Sequence, residues 1–140
     1  MKYPNCFVCG DKNIYGINAK FYFDGEKAFT ELLADEKFEG YKGIYHGGVI
    51  SSLLDEVMIK AILASNKFAV TAEMTVKYKI PVKVGEKLKF IGIVIKEKGR
   101  LFFTEGSAVG EDGTVYATAT GKYVLATDEL KNQLMKSDDK

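Results

Sequence analysis

One long helical pattern opens at Gly47-Gly48 and ends near Ser65-Asn66, and it constrains this chain more than any other feature. At about 100° per residue, Val49, Ile50, Leu53, Leu54, Val57, Ala61 and Ala64 share one broad apolar face. That face is wider than a surface helix needs, so the helix requires a partner that wraps it on most sides. Glu56 and Lys60 stand at i and i+4 and read as a surface ion pair worth a few tenths of a kcal/mol.

The rest of the pattern supplies the wrapping. Ile17 to Phe23 alternates roughly and reads as a strand, Asp24-Gly25 is a turn signal, and Ala28 to Leu33 reads as the returning strand. Asp35 to Tyr45 reads as a loop. After the helix, Val70 to Ile80 alternates cleanly, with Val70, Ala72, Met74, Val76, Tyr78 and Ile80 on one side. Thr71, Glu73, Thr75, Lys77 and Lys79 fall on the other, and Pro81 ends the run. Lys87 to Lys96, Leu101 to Val109 and Thr114 to Leu125 follow, joined by turns at Lys98-Gly99 and Glu111-Asp112-Gly113. Gly92, Gly106 and Gly121 inside these strands suit a strongly curved sheet. The expected fold class is α+β, a curved antiparallel β-sheet wrapped around one long central α-helix. One domain is expected over residues 14–126, with an irregular arm at 1–13 and a short polar tail at 127–140. A sheet edge or face left uncovered favours a homodimer, and further a dimer of dimers.

Composition narrows the function. The 140 residues are 46% hydrophobic, enough for a real core. Twenty basic residues against 19 acidic ones give a net charge of +1, which offers no general pull toward nucleic acid or anionic lipid. The first residues carry no signal-peptide pattern, and no apolar run approaches a membrane span. These features predict a cytoplasmic protein with neither nucleic acid nor membrane as partner. The only cysteines are Cys6 and Cys9, in Cys-Phe-Val-Cys-Gly. A closed zinc site wants four ligands, and no second pair exists, so two reduced cysteines beside a tight turn are expected and no metal or cofactor. A metal shared between subunits and a redox pair stay open as the alternatives.

The chemistry concentrates between Gly43 and Met58. His46-Gly47-Gly48 stands at a helix start, where backbone N–H groups lack partners and the helix dipole adds partial positive charge. Such a tip can polarise a carbonyl or hold a developing oxyanion. Asp55 lies inside the helix, with Ser51, Ser52, Ile59 and Ile62 as its neighbours on the helical wheel. A carboxylate beside isoleucines is either an exposed residue on the polar stripe or a general base or nucleophile. Asp55 is nine residues beyond His46, about 13–14 Å along a helix, so the two cannot touch one reacting carbonyl. Either they serve different purposes or the helix tip of one subunit meets the carboxylate of another.

His-Gly-Gly with Asp55 seven positions beyond Gly48, followed by the Val-Lys-Tyr-Lys-Ile-Pro strand end, resembles the hotdog-fold thioesterase superfamily, in particular its PaaI-type branch. The element order from Gly16 to Leu125 matches that fold, and Cys6 to Gly10 looks like the opening of some members. The resemblance implies hydrolysis of an acyl-CoA thioester at a subunit interface. It implies that the Gly47 N–H polarises the thioester carbonyl, beside Gly48. It implies that Asp55 of the facing subunit attacks that carbonyl or activates a water. His46 is then expected to shape the loop and assist at the thiol side, and Thr71, ten residues before Pro81, stands where some members use a serine to place the water. Expected substrate contacts are Tyr45 and Ile59 at the acyl group, and Lys98 and Arg100 at the nucleotide phosphates. One departure is visible: members of that family often carry an asparagine or glutamine in the loop before His-Gly-Gly, where this chain has Phe38-Glu39-Gly40-Tyr41. The main rival is a non-catalytic acyl-CoA or aromatic-ligand binder of the same fold. A dehydratase of related fold is disfavoured by the placing of the lone His46.

Overall fold

The computed structural model describes residues 3–135; the rest of the expected tail, 136–140, lies outside the described residues. In chain order the elements are β1 (Tyr22–Phe23), β2 (Ala28–Leu33), a 3-10 turn (Glu36–Phe38), α1 (Gly47–Leu63), β3 (Ala69–Tyr78), β4 (Lys87–Lys98), β5 (Leu101–Gly110), β6 (Val115–Leu125) and α2 (Asp128–Met135). The strands form one antiparallel sheet in the order β1-β2-β4-β5-β6-β3. The sheet curls around α1, as the breadth of that helix's apolar face requires. β3 closes one end of the sheet and has a neighbour, β6, on one side only.

The core is the α1–sheet contact. Val49, Ile50, Leu53, Leu54, Val57, Met58, Ala61 and Ile62 are all buried, each stabilising the fold by about 1.5–3 kcal/mol where a full aliphatic side chain leaves water. Phe90, Phe102 and Tyr123 face them from β4, β5 and β6. At Gly92 the reason for glycine is close approach: an added Cβ would lie 2.6 Å from the Val57 carbonyl oxygen, so the helix backbone rests directly on β4.

Three expectations need correction. The strand expected from Ile17 shrinks to Tyr22–Phe23. Asn18 takes a left-handed φ of 56°, and the Ile17 and Ala19 N–H groups bond the Phe7 and Val8 carbonyls instead of continuing the pairing with β2. The N-terminal arm is thereby pinned to the body, with Val8 buried. The clean alternation in β3 fails at a bulge: Thr71 pairs with Tyr123 and Glu73 with Lys122, leaving Ala72 as an extra residue. Thr71 is therefore turned toward the helix, on the same side as the half-buried Met74 and Val76. The Glu56–Lys60 pair forms at 3.6 Å, but with 16% and 19% of the side chains exposed it is not a surface pair. The arm reaches it through Cys9. Among the described residues no helix is long and apolar enough to cross a membrane.

Candidate active site

The N-terminus of α1 is built by its own sequence. His46 is the N-cap, in extended conformation, and its Nδ1 accepts the Gly48 N–H at 2.8 Å. That bond fixes the other ring nitrogen, Nε2, as the proton carrier in the neutral ring. The Val49 and Ile50 N–H groups donate to the His46 carbonyl at 3.1 and 3.2 Å. Among the described residues no acceptor meets the Gly47 N–H, so one amide at the positive end of the helix is free for a ligand oxygen.

Tyr78, at the end of β3, buttresses this tip. Its hydroxyl donates to the Gly47 carbonyl at 2.8 Å and is also bonded to Ser51 Oγ. Its ring lies against Gly47, where an added Cβ would meet it at 3.4 Å. The loop before the tip is held by His46 N–H to Phe38 O and Tyr45 N–H to Val82 O, at 2.9 and 2.8 Å. Glu39, in the stretch where relatives carry an amide, accepts the Gly43 N–H at 2.7 Å and so stabilises the loop's own turn.

Two turns of helix further on, Asp55 is half-buried and held by two hydroxyls. Thr71 Oγ1 and Tyr123 Oη each donate to Asp55 Oδ1 at 2.9 Å. Among the described residues no donor meets Oδ2, which leaves that oxygen for a water or a substrate carbon. Burial raises the Tyr123 phenol far above its ordinary range, and the adjacent Asp55 charge raises it further, so it remains a donor. Loss of this phenol's proton would set two negative oxygens side by side in a buried site.

Each expected site residue can now be placed. His46, Gly47 and Gly48 form one centre, Asp55 and Thr71 the other, and Asp55 lies eight positions along the helix from Gly47, about 12 Å within a chain. Ile59 is half-buried one turn beyond Asp55 and packs on the core. Tyr45 is only 2% exposed in the single chain, its hydroxyl buried without a partner; burial first and Asp35 second push the phenol up to about 12. Lys98 and Arg100 are exposed on the β4–β5 turn. Arg100 donates to the Leu125 carbonyl at 2.6 Å, two residues from Tyr123, and so borders the Asp55 end of the sheet.

Sequence reasoning missed Tyr78 and Tyr123. Alternation places Tyr78 with Val70, Met74 and Val76 on one side of its strand, and nothing in the spacing ties it to Gly47. Tyr123 sits on a strand whose inward positions are Ala117, Ala119, Gly121 and Tyr123. A large phenol closing a row of small residues was the available signal.

Comparison with other proteins identifies the family and the fold. The thioesterase superfamily model matches residues 42–117, more than half of the chain. Acyl-coenzyme A thioesterase 13 of Homo sapiens is 28% identical over 108 residues, covering 76% of this chain and 72% of that protein. A solved thioesterase superfamily protein superposes with a TM-score of 0.81 at 25% identity, over 86% of this chain, which spans 60% of that protein's length. The PaaI protein of E. coli superposes with a TM-score of 0.73 at 18% identity, over 78% of this chain and 80% of its own. A hotdog sheet wrapped on α1, an uncapped glycine amide and a doubly bonded helical aspartate come together in a chain that belongs to the thioesterase superfamily.

Proposed function

We propose that this protein hydrolyses acyl-CoA thioesters to free acid and CoA, at a site completed by two copies of the chain. The observation that carries the reading is the Asp55 carboxylate, fixed through one oxygen by Thr71 and Tyr123 and open at the other. A ligand-binding pocket needs no such arrangement. A general base or nucleophile does, because it must be aimed before the reaction starts.

The open β3 edge supports a shared site. Within a chain, Gly47 touches Tyr78 near one end of β3, and Asp55 touches Thr71 near the other. Antiparallel pairing of two β3 edges, centred on Thr75, sets Met74 opposite the partner subunit's Val76 and, across the bulge at Ala72, Thr71 opposite the partner subunit's Tyr78. That register brings the partner's Gly47 to the Asp55 end, and the two-fold axis makes a second identical site. Val70, Tyr78 and Ile80, all more than a third exposed in the single chain, would be covered by the same contact.

In the reaction, the free Gly47 N–H takes up the negative charge that develops on the thioester oxygen. Asp55 Oδ2 of the facing chain delivers a water or attacks the carbonyl, while Oδ1 stays bonded to Thr71 and Tyr123. Ile59 lines the acyl end, and Lys98 and Arg100 supply positive charge beside it for the nucleotide phosphates. The balanced net charge and two cysteine thiols fit a cytoplasmic setting. Asp55→Asn keeps the size and one acceptor oxygen but removes the base. With a panel of acyl-CoAs and a free-thiol readout, turnover is expected to fall at least ~100-fold with the melting temperature unchanged. Wild-type-like hydrolysis by that variant would refute the role, and a wild type that binds acyl-CoA without releasing thiol would establish the binder.

A further inference from the structure

On the side of α1 away from the open β3 edge, the N-terminal arm brings Cys6 and Cys9 against Glu56. One ligand atom from each residue lies within 4.8 Å of both others. The spacing of the two cysteines supplies only two ligands. The third comes from a residue 47 positions away in sequence, which only the fold reveals.

The turn that carries the thiols is built for sulfur. The Cys9 N–H points at Cys6 Sγ at 3.4 Å, and the Gly10 N–H bonds the Cys6 carbonyl at 2.9 Å. Only glycine fits after Cys9: a Cβ on Gly10 would lie 2.4 Å from Pro4 O and 2.5 Å from Cys6 N. The turn is fixed from behind by the Ile17 and Ala19 N–H groups bonding Phe7 and Val8, each at 2.8 Å. Both thiols are half-buried, and Glu56 is held on a rigid helix. The geometry is therefore set before any ligand arrives.

We infer that Cys6, Cys9 and Glu56 bind one tetrahedral transition-metal dication, zinc by ligand type, with the fourth position filled by water. The distances suit it. Zinc–sulfur bonds of about 2.3 Å and zinc–oxygen bonds of about 2.0–2.2 Å imply ligand–ligand edges of about 3.5–3.8 Å. Cys9 Sγ stands 3.8 Å from Glu56 Oε2. The charge suits it too. Two thiolates and a carboxylate around a dication leave one negative charge, and Lys60 supplies the balancing positive one. Its Nζ lies 3.7 Å from Cys9 Sγ and 3.6 Å from Glu56, as an outer donor to the ligands. Glu56 is next to Asp55 on α1, so the metal would fasten the arm to the helix that carries the proposed catalytic carboxylate.

The test is a cobalt(II) titration of chelator-treated, reduced protein, followed by competition with zinc. One equivalent per chain should give the near-ultraviolet sulfur-to-cobalt absorption and intense visible bands of a tetrahedral site, both abolished by zinc. Cys6→Ser and Cys9→Ser should each weaken the sulfur band. Glu56→Gln should keep that band but bind at least ~10-fold more weakly, which guards against a cysteine variant that fails to fold. Asp55→Asn should titrate like wild type, so a failure here is separable from a failure of the proposed hydrolysis. The inference is overturned if reduced wild type shows no sulfur-to-cobalt band, if the cysteine variants titrate unchanged, or if Glu56→Gln leaves the affinity intact.

Discussion

Replacing Gly47 by proline removes a single hydrogen atom of interest, the backbone N–H, and the local structure is prepared for it. Gly47 is the first residue of α1, the position where proline is best tolerated because its amide makes no helical bond. His46 before it sits at φ −63° and ψ 128°, the extended region that a residue preceding proline requires. A Cβ at Gly47 makes only ordinary contact with Tyr78, at 3.4 Å. The helix should therefore form normally, and stability should change by less than about 1 kcal/mol. Catalysis should not survive as well. Loss of one oxyanion donor costs about 2.7–4 kcal/mol of transition-state stabilisation, or roughly 100- to 1,000-fold in kcat. The assay is steady-state release of free thiol from acyl-CoA, with thermal melting in parallel. Gly47→Ala, which keeps the N–H and adds the same Cβ, is the control and should retain most activity. A proline variant with near-normal kcat, or an alanine variant as damaged as the proline one, would show that the free amide has no part in the reaction.

Thr71→Val and Tyr123→Phe each remove one donor to Asp55 Oδ1, a bond to a charged group worth about 1.5–3 kcal/mol. Each should lower kcat by roughly 10- to 100-fold with little change in KM, and a variant that changes KM alone would contradict the aiming role. Tyr45→Phe removes a buried hydroxyl that has no partner. It should stabilise the fold by about 1 kcal/mol, a rise of about 3 °C in Tm. A fall in Tm, or a large rise in KM, would instead give that hydroxyl a ligand in the assembled enzyme.

Much of this site was legible in the sequence because local rules govern it. A helix start with His-Gly-Gly points to exposed amides, whereas the wheel position of Asp55 left an exposed polar-stripe residue and a working carboxylate both open. The breadth of the α1 apolar face called for a wrapping sheet, and the strands that follow Pro81 came close to their expected bounds. What escaped was long-range. Strict alternation puts Thr71 on the side of β3 opposite Met74 and Val76, and one extra residue at Ala72 reverses it. That same reversal is what lets Thr71 reach Asp55. The Glu56–Lys60 pair looked solvent-exposed because helical spacing cannot see an arm folding back over it. Tyr78 and Tyr123 meet their partners 31 and 68 residues away, a separation no periodicity reports.

Subunit complementation tests the shared cleft most directly. Asp55→Asn and Gly47→Pro chains, each inactive alone, are unfolded together and refolded as a mixture. Half of the resulting dimers pair unlike chains, and each of those regains one intact site out of two. Activity should rise to about a quarter of wild type. A mixture that remains at the summed background of its two parents, with mixed dimers demonstrably present, would mean that amide and carboxylate do not work across two copies of the chain.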